Sequence, residues 1–168
     1  MSLTDYFISL PLPPELITYL VSMMPIGELR TGIPFAMAVL ELPTWIAFIC
    51  ATAGTITIGI LLFYLLDPIT KFLRRHSRHM ERFFEWLFHR TRTKHTKRME
   101  ELGLIALFIF VAIPLPGSGV WTGALIAYLF NIKASHALPV LCAAVVASAL
   151  IVTFGTDTVL AIFAANPA

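Results

Sequence analysis

Long apolar stretches separated by short polar borders dominate this chain, and two of them are uninterrupted. The first ends at Asp67 and the second at Asp157. Each holds more than the roughly 20 residues that a helix needs to cross a bilayer core of about 30 Å. The pattern therefore predicts two transmembrane helices, at residues 43–66 and 134–157.

Two further apolar stretches, at residues 16–41 and 102–132, are interrupted near the middle by prolines and glycines. The interruptions cover residues 25–34 and 114–119. Each flanking piece has about ten to twelve residues, enough to cross only about half of the hydrocarbon. Half-length helices meeting at such a break predict a re-entrant loop, which is tolerated where protein or a polar cavity surrounds it. The alternative is one kinked helix that crosses fully in each stretch.

The distribution of positive charge favours the re-entrant arrangement. Ten of the twelve Lys and Arg residues lie between Lys71 and Arg98, and short loops rich in these residues face the cytoplasm. Four full crossings would place this basic segment on the same side as both termini. Two crossings place it on the opposite side, and the segments before Arg30 and after Lys133 contain no Lys or Arg.

The order of elements repeats along the chain. A shift of 91 residues aligns Pro25 with Pro116 and Ala36 with Ala127, each in a broken stretch followed by a long span. With one crossing per half, the second repeat enters the membrane from the opposite face, as in transporters built from inverted repeats. The predicted fold is an all-α integral membrane protein with two inverted repeats, each a re-entrant helical hairpin plus a transmembrane helix. We treat residues 1–168 as one membrane domain, with repeats at 6–66 and 101–165.

The basic segment at residues 67–100 joins the repeats. Its apolar residues follow helical spacing and its arginines fill much of the remainder, which predicts an amphipathic helix in the cytoplasmic interface, near anionic lipid head groups. The alternative is a soluble helical hairpin over the cytoplasmic mouth. We interpret the histidines of this segment as solvated, because metal ligation among so many positive charges is unfavourable.

Composition supports a chain that lives in lipid and narrows its chemistry. Hydrophobic residues make up 58% of the sequence and charged residues 13%, and the mean hydropathy is +0.82. Cys50 and Cys142 each lie in an apolar run and are interpreted as structural. We expect no metal, no cofactor and no nucleic-acid partner, since the basic run has a lipid explanation.

Glu28 and Arg30, in the first break, are the most informative pair, because ionisable groups at membrane depth are costly and indicate function. In the functional interpretation, Glu28 exchanges a proton and Arg30 offers its planar guanidinium to an anionic group. In the structural interpretation, the two side chains pair with each other or cap the broken helix.

The second break carries no charge but exposes backbone. Its small residues are Gly117, Ser118 and Gly119. A half-helix is predicted to begin near Gly119, and the first N–H groups of a helix form a positive end that is suited to binding phosphate or carboxylate. The alternative is close packing of small residues, which is common between membrane helices. Trp121 is either a cavity wall or core filling.

These two stretches, residues 28–34 and 114–127, resemble the signature stretches of the small multidrug export protein family. That family is in turn similar, more remotely, to the DedA or SNARE-associated membrane proteins, which include lipid scramblases and phospholipid translocases. The resemblance implies binding roles for substrate or protons at the matching positions. These positions are Glu28, Arg30, Thr31, Gly32, Pro34, Pro114, Pro116, Gly117, Ser118, Gly119, Trp121 and Thr122.

The combined prediction is a multi-pass transporter of the plasma membrane, proton-linked through Glu28, that moves an amphipathic or lipid-like anionic solute. The alternatives are a passive lipid scramblase and a non-transporting membrane scaffold. An enzyme is not expected, because no nucleophile and base are spaced as a pair; Ser118 and His136 lie on different elements. Two small repeats enclose little volume, which favours a homodimer.

Overall fold

The computed structural model describes residues 12–25, 28–76, 97–115, 117–130 and 132–165. Within these residues the chain is helical and has no strand, which confirms the predicted all-α class. Six helices occur in this described part: α1 (Pro14–Ser22), α2 (Glu28–Ala38), α3 (Thr44–His76), α4 (Lys97–Ala112), α5 (Val120–Leu129) and α6 (Ala134–Ala165).

The first broken stretch is a helical hairpin of α1 and α2. Pro14 begins α1. Proline has no N–H, which costs little at this position because the N–H groups of the first turn have no carbonyl partner within the helix. A Cβ added to Gly32 of α2 would collide with the hydroxyl oxygen of Ser22 at the end of α1. In one continuous helix, positions 22 and 32 would lie about 15 Å apart. The chain therefore folds back here, and a single kinked helix does not describe this stretch.

The second broken stretch folds back in the same way. A Cβ added to Gly123 of α5 would lie 2.5 Å from Cγ2 of Val111 and 3.8 Å from Cδ1 of Leu107, both on α4. The same Cβ would lie 3.0 Å from Leu141 of α6. A glycine at position 123 thus lets α5 pack closely on two other helices.

The two long helices α3 and α6 are long and apolar enough to cross a membrane, as predicted. Many of their large apolar side chains are exposed: Trp45 is 65% exposed and Phe154 is 68% exposed. Such a surface is poorly suited to water and well suited to lipid.

Both long helices continue past their predicted ends. The sequence places the first end at Leu66, yet α3 runs through Pro68 to His76. The second is predicted to end at Asp157, and α6 continues to Ala165. Of the basic segment, residues 77–96 lie outside the described residues, so the interfacial helix stays a prediction.

The described chain divides into two compact units. The first contains α1, α2, the beginning of α3 up to Thr55, and the end of α6 from Ala149. Here the hydroxyl of Thr44 donates to a carboxylate oxygen of Asp157 at 3.1 Å. The start of α3 therefore lies beside the C-terminal part of α6.

The second unit contains residues 56–148, and therefore α4, α5, the rest of α3 and the beginning of α6. Here the hydroxyl of Tyr128 on α5 donates to Asp67 on α3 at 3.5 Å. A Cβ added to Gly59 would lie 2.5 Å from Cγ2 of Val120, so the first residue of α5 packs directly on the α3 backbone.

The pattern of buried positions repeats between the two hairpins and between the two long helices. In α2 and α5 the repeat distance is 91 residues, and the matched buried pairs are Leu29 and Val120, Gly32 and Gly123, Ile33 and Ala124, and Ala36 and Ala127. In α3 and α6 the distance is 90 residues, and the pairs are Ala47 and Ala137, Ala51 and Leu141, Gly54 and Ala144, Thr55 and Val145, Ile58 and Ser148, and Gly59 and Ala149. Corresponding helices thus bury corresponding faces, although few residues are identical.

Candidate functional site

The tip of the first hairpin places a buried carboxylate at the start of a helix. Glu28 is the first residue of α2 and is only 6% exposed. Its backbone has φ 50°, in the left-handed region that residues with a Cβ avoid. Such a conformation costs about 1–3 kcal/mol and is concentrated at functional sites, where the surrounding fold maintains it.

Arg30 lies two residues further along α2 and is half-buried. The Glu28 carboxylate and the Arg30 guanidinium interact electrostatically. Burying either charge alone would be costly, and an oppositely charged neighbour offsets part of that cost. The hairpin tip therefore carries a compact, nearly neutral pair of charges.

The irregular backbone of the first break is shorter than the sequence predicted. The prediction placed residues 25–34 in the break, whereas α2 begins at Glu28 and continues through Pro34 to Ala38. A proline inside a helix costs about 3 kcal/mol. Packing offsets this cost, because Leu29, Ile33 and Ala36 are almost fully buried. The predicted site residues of this hairpin therefore lie on a helix and not in a loop.

The tip of the second hairpin is an ordered turn held by one serine. Ser118 is 4% exposed, and its hydroxyl donates to the carbonyls of Ile113 and Leu115, at 2.8 and 2.9 Å, as alternative acceptors. The same oxygen accepts from the Leu115 N–H at 3.2 Å. Gly117 has φ 82°, which a glycine adopts without strain. Ser118 thus organises its own loop, and direct contact with a substrate stays a prediction for this residue.

The predicted helix start near Gly119 is confirmed. Gly119 is the N-cap of α5, and no side chain caps this helix end. The first N–H groups of a helix lack carbonyl partners within the helix and form its positive end. Trp121 is half-buried in the first turn. This end of α5 therefore has the positive end of the helix dipole and no charged side chain in its first turn.

The remaining predicted residues lie on the same two hairpins. On α2, Thr31 is exposed, Gly32 is buried against α1 and Pro34 is half-buried. On the second hairpin, Pro114 and Thr122 are half-buried, while Pro116 lies outside the described residues. The two groups belong to different units, and their convergence into one site stays a prediction.

Sequence reasoning missed a set of buried hydroxyls beside the first hairpin. Thr18, Ser22 and Thr55 are fully buried. Thr55 donates to the carbonyl of Ser22 at 3.2 Å and so connects α3 to the end of α1. The spacing of Thr18 and Ser22, four residues apart just before the break, was the available signal.

The polar groups of the described residues are not arranged as a metal site. Among the described residues, no group of three or more His, Cys, Asp or Glu side chains is placed to hold a metal ion. The arrangement that does occur is a charged pair on one hairpin and, on the other, a helix start that has no side-chain cap. Both are suited to binding and neither contains a nucleophile paired with a base.

Comparison with known protein families gives a match over most of the chain. Residues 28–151 match the family described as "Putative small multi-drug export protein". The chain belongs to this family. The match begins at Glu28 and extends from α2 to the middle of α6. It therefore contains the Glu28–Arg30 pair and the whole second hairpin, and leaves out α1. Neither the curated proteins nor the solved structures contain a significant match to the chain.

Membership in the small multi-drug export family, together with two long apolar helices, makes this chain a membrane protein of an export type. It also points to transport and away from enzymatic catalysis. The family description names no substrate, so the chemistry of the transported molecule rests on the residues of the site.

Proposed function

We propose that this member of the small multi-drug export family is a proton-linked transporter of amphipathic or lipid-like anions. The observation that carries the proposal is Glu28, a buried carboxylate in a strained backbone conformation, held next to Arg30. An ionisable pair at membrane depth is costly to maintain and is a site hypothesis by default.

The Glu28–Arg30 pair can couple the binding of an anion to the binding of a proton. Arg30 attracts either the Glu28 carboxylate or an anionic group of the substrate, because its guanidinium binds carboxylates and phosphates in the same planar geometry. When an anion binds Arg30, it brings a second negative charge beside Glu28. Protonation of Glu28 removes that repulsion. One proton is then bound together with each anion.

In this proposal both hairpins re-enter the membrane. Helices α1, α2 and α5 have 9, 11 and 10 residues and are too short to span the bilayer alone. Further support comes from the contact between Thr44, at the start of α3, and Asp157, in the last third of α6. Four full crossings would make α3 and α6 run in the same direction. Two crossings make them antiparallel, which agrees with this contact.

The repeated burial pattern supports inverted repeats. Helices that bury corresponding faces 90 and 91 residues apart are expected when each repeat makes the same internal contacts. With one crossing per repeat, the second copy is turned over in the membrane. A homodimer in the plasma membrane, with the basic segment bound to anionic lipid, completes the proposal.

Transport by the purified protein tests this function directly. Vesicles containing the protein receive a short-chain fluorescent phosphatidylglycerol outside, with or without a pH gradient across the membrane. Proton-linked transport predicts accumulation inside above the outside concentration, only when the gradient is present. Equilibration to equal concentrations, independent of the gradient, would instead identify a passive scramblase. No movement above that in protein-free vesicles would favour the scaffold.

Cysteine labelling in intact cells tests the re-entrant arrangement. In a background of Cys50→Ala and Cys142→Ala, the variants Ser2→Cys and Ser77→Cys are treated with a reagent that does not cross membranes. We expect Ser2→Cys to be labelled from outside and Ser77→Cys only after the cells are opened. Labelling of both positions from the same side would replace the re-entrant loops with four full crossings.

A further inference from the structure

Buried polar side chains are more frequent in the first unit than in the second. Of the nine that occur among the described residues, six belong to the first unit: Thr18, Ser22, Glu28, Thr52, Thr55 and Thr153. Burying a hydroxyl costs free energy unless the hydroxyl forms a hydrogen bond. Two of these residues, Ser22 and Thr55, are joined by a hydrogen bond where the first hairpin packs on α3.

The end of α1 lies between two other helices. Ser22 is the last residue of α1, and its hydroxyl oxygen occupies the place that a Cβ on Gly32 of α2 would need. On the other side, a Cβ added to Gly54 of α3 would lie 3.3 Å from Cβ of Ser22. Thr55, the next residue of α3, is fully buried and donates to the carbonyl oxygen of Ser22 at 3.2 Å. Ser22 therefore packs against α2 and α3 at once.

The hydrogen bond from Thr55 is directed at a helix end. The last four carbonyls of a helix have no N–H partner within that helix, and the Ser22 carbonyl is the last one of α1. Because the donor belongs to α3, the bond holds the end of α1 at one position along α3. A hydroxyl that bonds within its own helix, as Thr18 does to the carbonyl of Pro14, cannot do this.

The second unit packs the corresponding junction with aliphatic side chains. There Gly123 of α5 lies against Val111 of α4, which takes the place that Ser22 has in the first hairpin. The residue 90 positions after Thr55 is Val145, which is also buried. A hairpin of this kind therefore packs on its neighbours without these hydroxyls, and packing alone does not account for the Thr55 bond.

The charged pair is what distinguishes the first hairpin tip from the second. Glu28 begins α2 one helical turn before Gly32, is 6% exposed and has φ 50°. Such a backbone conformation persists only where the surrounding structure maintains it. The second tip has no charged residue, and its turn is held by its own Ser118. The bond from Thr55 thus occurs in the unit whose tip requires support from a neighbouring helix.

We propose that Thr55 is a positioning residue for the Glu28–Arg30 pair. Its bond fixes the end of α1, and the close packing of Ser22 on Gly32 transmits that position to α2. With the tip fixed, Glu28 keeps its buried conformation and the Arg30 guanidinium stays aligned for an anion. Thr55 itself contacts neither the anion nor the proton. The proposal rests on the proposed function, because the pair is the anion site that Thr55 positions.

Thr55→Val removes the hydroxyl and keeps the shape of the side chain. The matched control is Thr153→Val, the same change in the same unit at a buried hydroxyl with no hydrogen-bond partner among the described residues. The measurement is equilibrium binding of the short-chain fluorescent phosphatidylglycerol to the purified protein in detergent. We expect Thr55→Val to weaken binding about tenfold, because a misplacement of about 1 Å can cost as much as about 100-fold. Thr153→Val, and Thr55→Ser, which keeps the hydroxyl, are expected to bind as tightly as the original protein.

A distance measurement shows whether weaker binding comes from the position of the tip. Spin labels are attached to Met24→Cys, beside the tip, and to Ile49→Cys on α3, in the background without native cysteines used for topology. Both positions are exposed and belong to the first unit. Thr55→Val should broaden the distribution of distances between the two labels, measured by electron paramagnetic resonance. Thr153→Val should leave this distribution unchanged.

An unchanged distance distribution in Thr55→Val would overturn the positioning role, and so would unchanged binding despite a broader distribution. Equal losses of binding in Thr55→Val and Thr55→Ser would also contradict it, since the serine hydroxyl can still donate. The proposed function can fail separately. Lipid movement that does not depend on the pH gradient would remove proton coupling and leave the positioning of an anion site intact. Absence of binding by the original protein would overturn both proposals.

Discussion

Replacing Glu28 by Gln is expected to abolish pH-driven uptake of the fluorescent lipid, with a loss of about 100-fold in rate. Glutamine keeps the size and hydrogen-bonding capacity of the side chain but cannot exchange a proton. It also leaves the Arg30 charge without its carboxylate neighbour. The measurement is initial uptake into vesicles with the pH gradient, normalised to the amount of folded protein.

The unfolding temperature in detergent separates this outcome from structural damage. A variant that is merely unstable would lose uptake and stability together, whereas Glu28→Gln should lose uptake while most of the protein remains folded. Unchanged gradient-driven uptake by Glu28→Gln would contradict the proton-binding role. If uptake is unchanged and only the unfolding temperature falls, the charged pair is structural.

Arg30→Lys in the same assay separates the two roles of the pair. Lysine keeps the positive charge beside Glu28 but lacks the planar guanidinium that binds a phosphate with two parallel hydrogen bonds. Uptake by this variant should still depend on the pH gradient but should require a higher concentration of the fluorescent lipid. Unaltered concentration dependence would mean that Arg30 does not bind the anion.

Gly54→Ala is expected to be the most destabilising small substitution in the first unit, by about 3 kcal/mol. A Cβ at position 54 would collide with the carbonyl oxygen of Tyr19, and would lie 3.1 Å from its carbonyl carbon and 3.3 Å from Cβ of Ser22. The obstacle is mainly backbone, which cannot turn aside as a flexible side chain does. The α1–α2 hairpin would have to move away from α3, and the measurement is unfolding of the purified protein in detergent.

Gly155→Ala is the matched control for this prediction. It makes the same chemical change inside α6, where a Cβ would have no heavy atom within 4 Å. In an open position of a helix, alanine is favoured over glycine by about 1 kcal/mol. This variant should be as stable as the original protein or slightly more stable. Equal effects of Gly54→Ala and Gly155→Ala would show that the close contact at Tyr19 is not tight in the membrane.

The apolar spans and the two breaks were readable from the sequence because they depend on local properties. Twenty or more apolar residues without interruption require lipid or a large core, whatever the rest of the chain does. Clusters of prolines and glycines, as near residues 25 and 116, disfavour a continuous helix through their local backbone restrictions. The repeat was visible only weakly, since few residues are identical, and the burial pattern in α3 and α6 expresses it much more clearly.

The ends of the helices and the state of each polar group required the tertiary structure. Pro34 lies inside α2, where neighbouring residues are buried and the helix packs on α1, and that packing energy cannot be calculated from the local sequence. The sequence predicted that Ser118 binds substrate, yet its hydroxyl donates to carbonyls of its own turn. Conversely, Thr52 and Thr153 look like ordinary threonines of a membrane helix. Only the surrounding helices decide that their hydroxyls are buried and have no hydrogen-bond partner among the described residues.

The sequence by itself thus determined the long apolar spans, the two interrupted stretches, and Glu28 with Arg30 as the charged pair in the first of these stretches. The tertiary structure decided that each interrupted stretch is a hairpin, that Glu28 begins a helix with positive φ, and that six of the nine buried polar side chains among the described residues lie in the first unit. The physical reason is the distance along the chain over which each effect acts. Hydrophobicity and backbone restriction act within a few residues, whereas burial and hydrogen bonding depend on groups such as Ser22 and Thr55, which lie far apart along the chain.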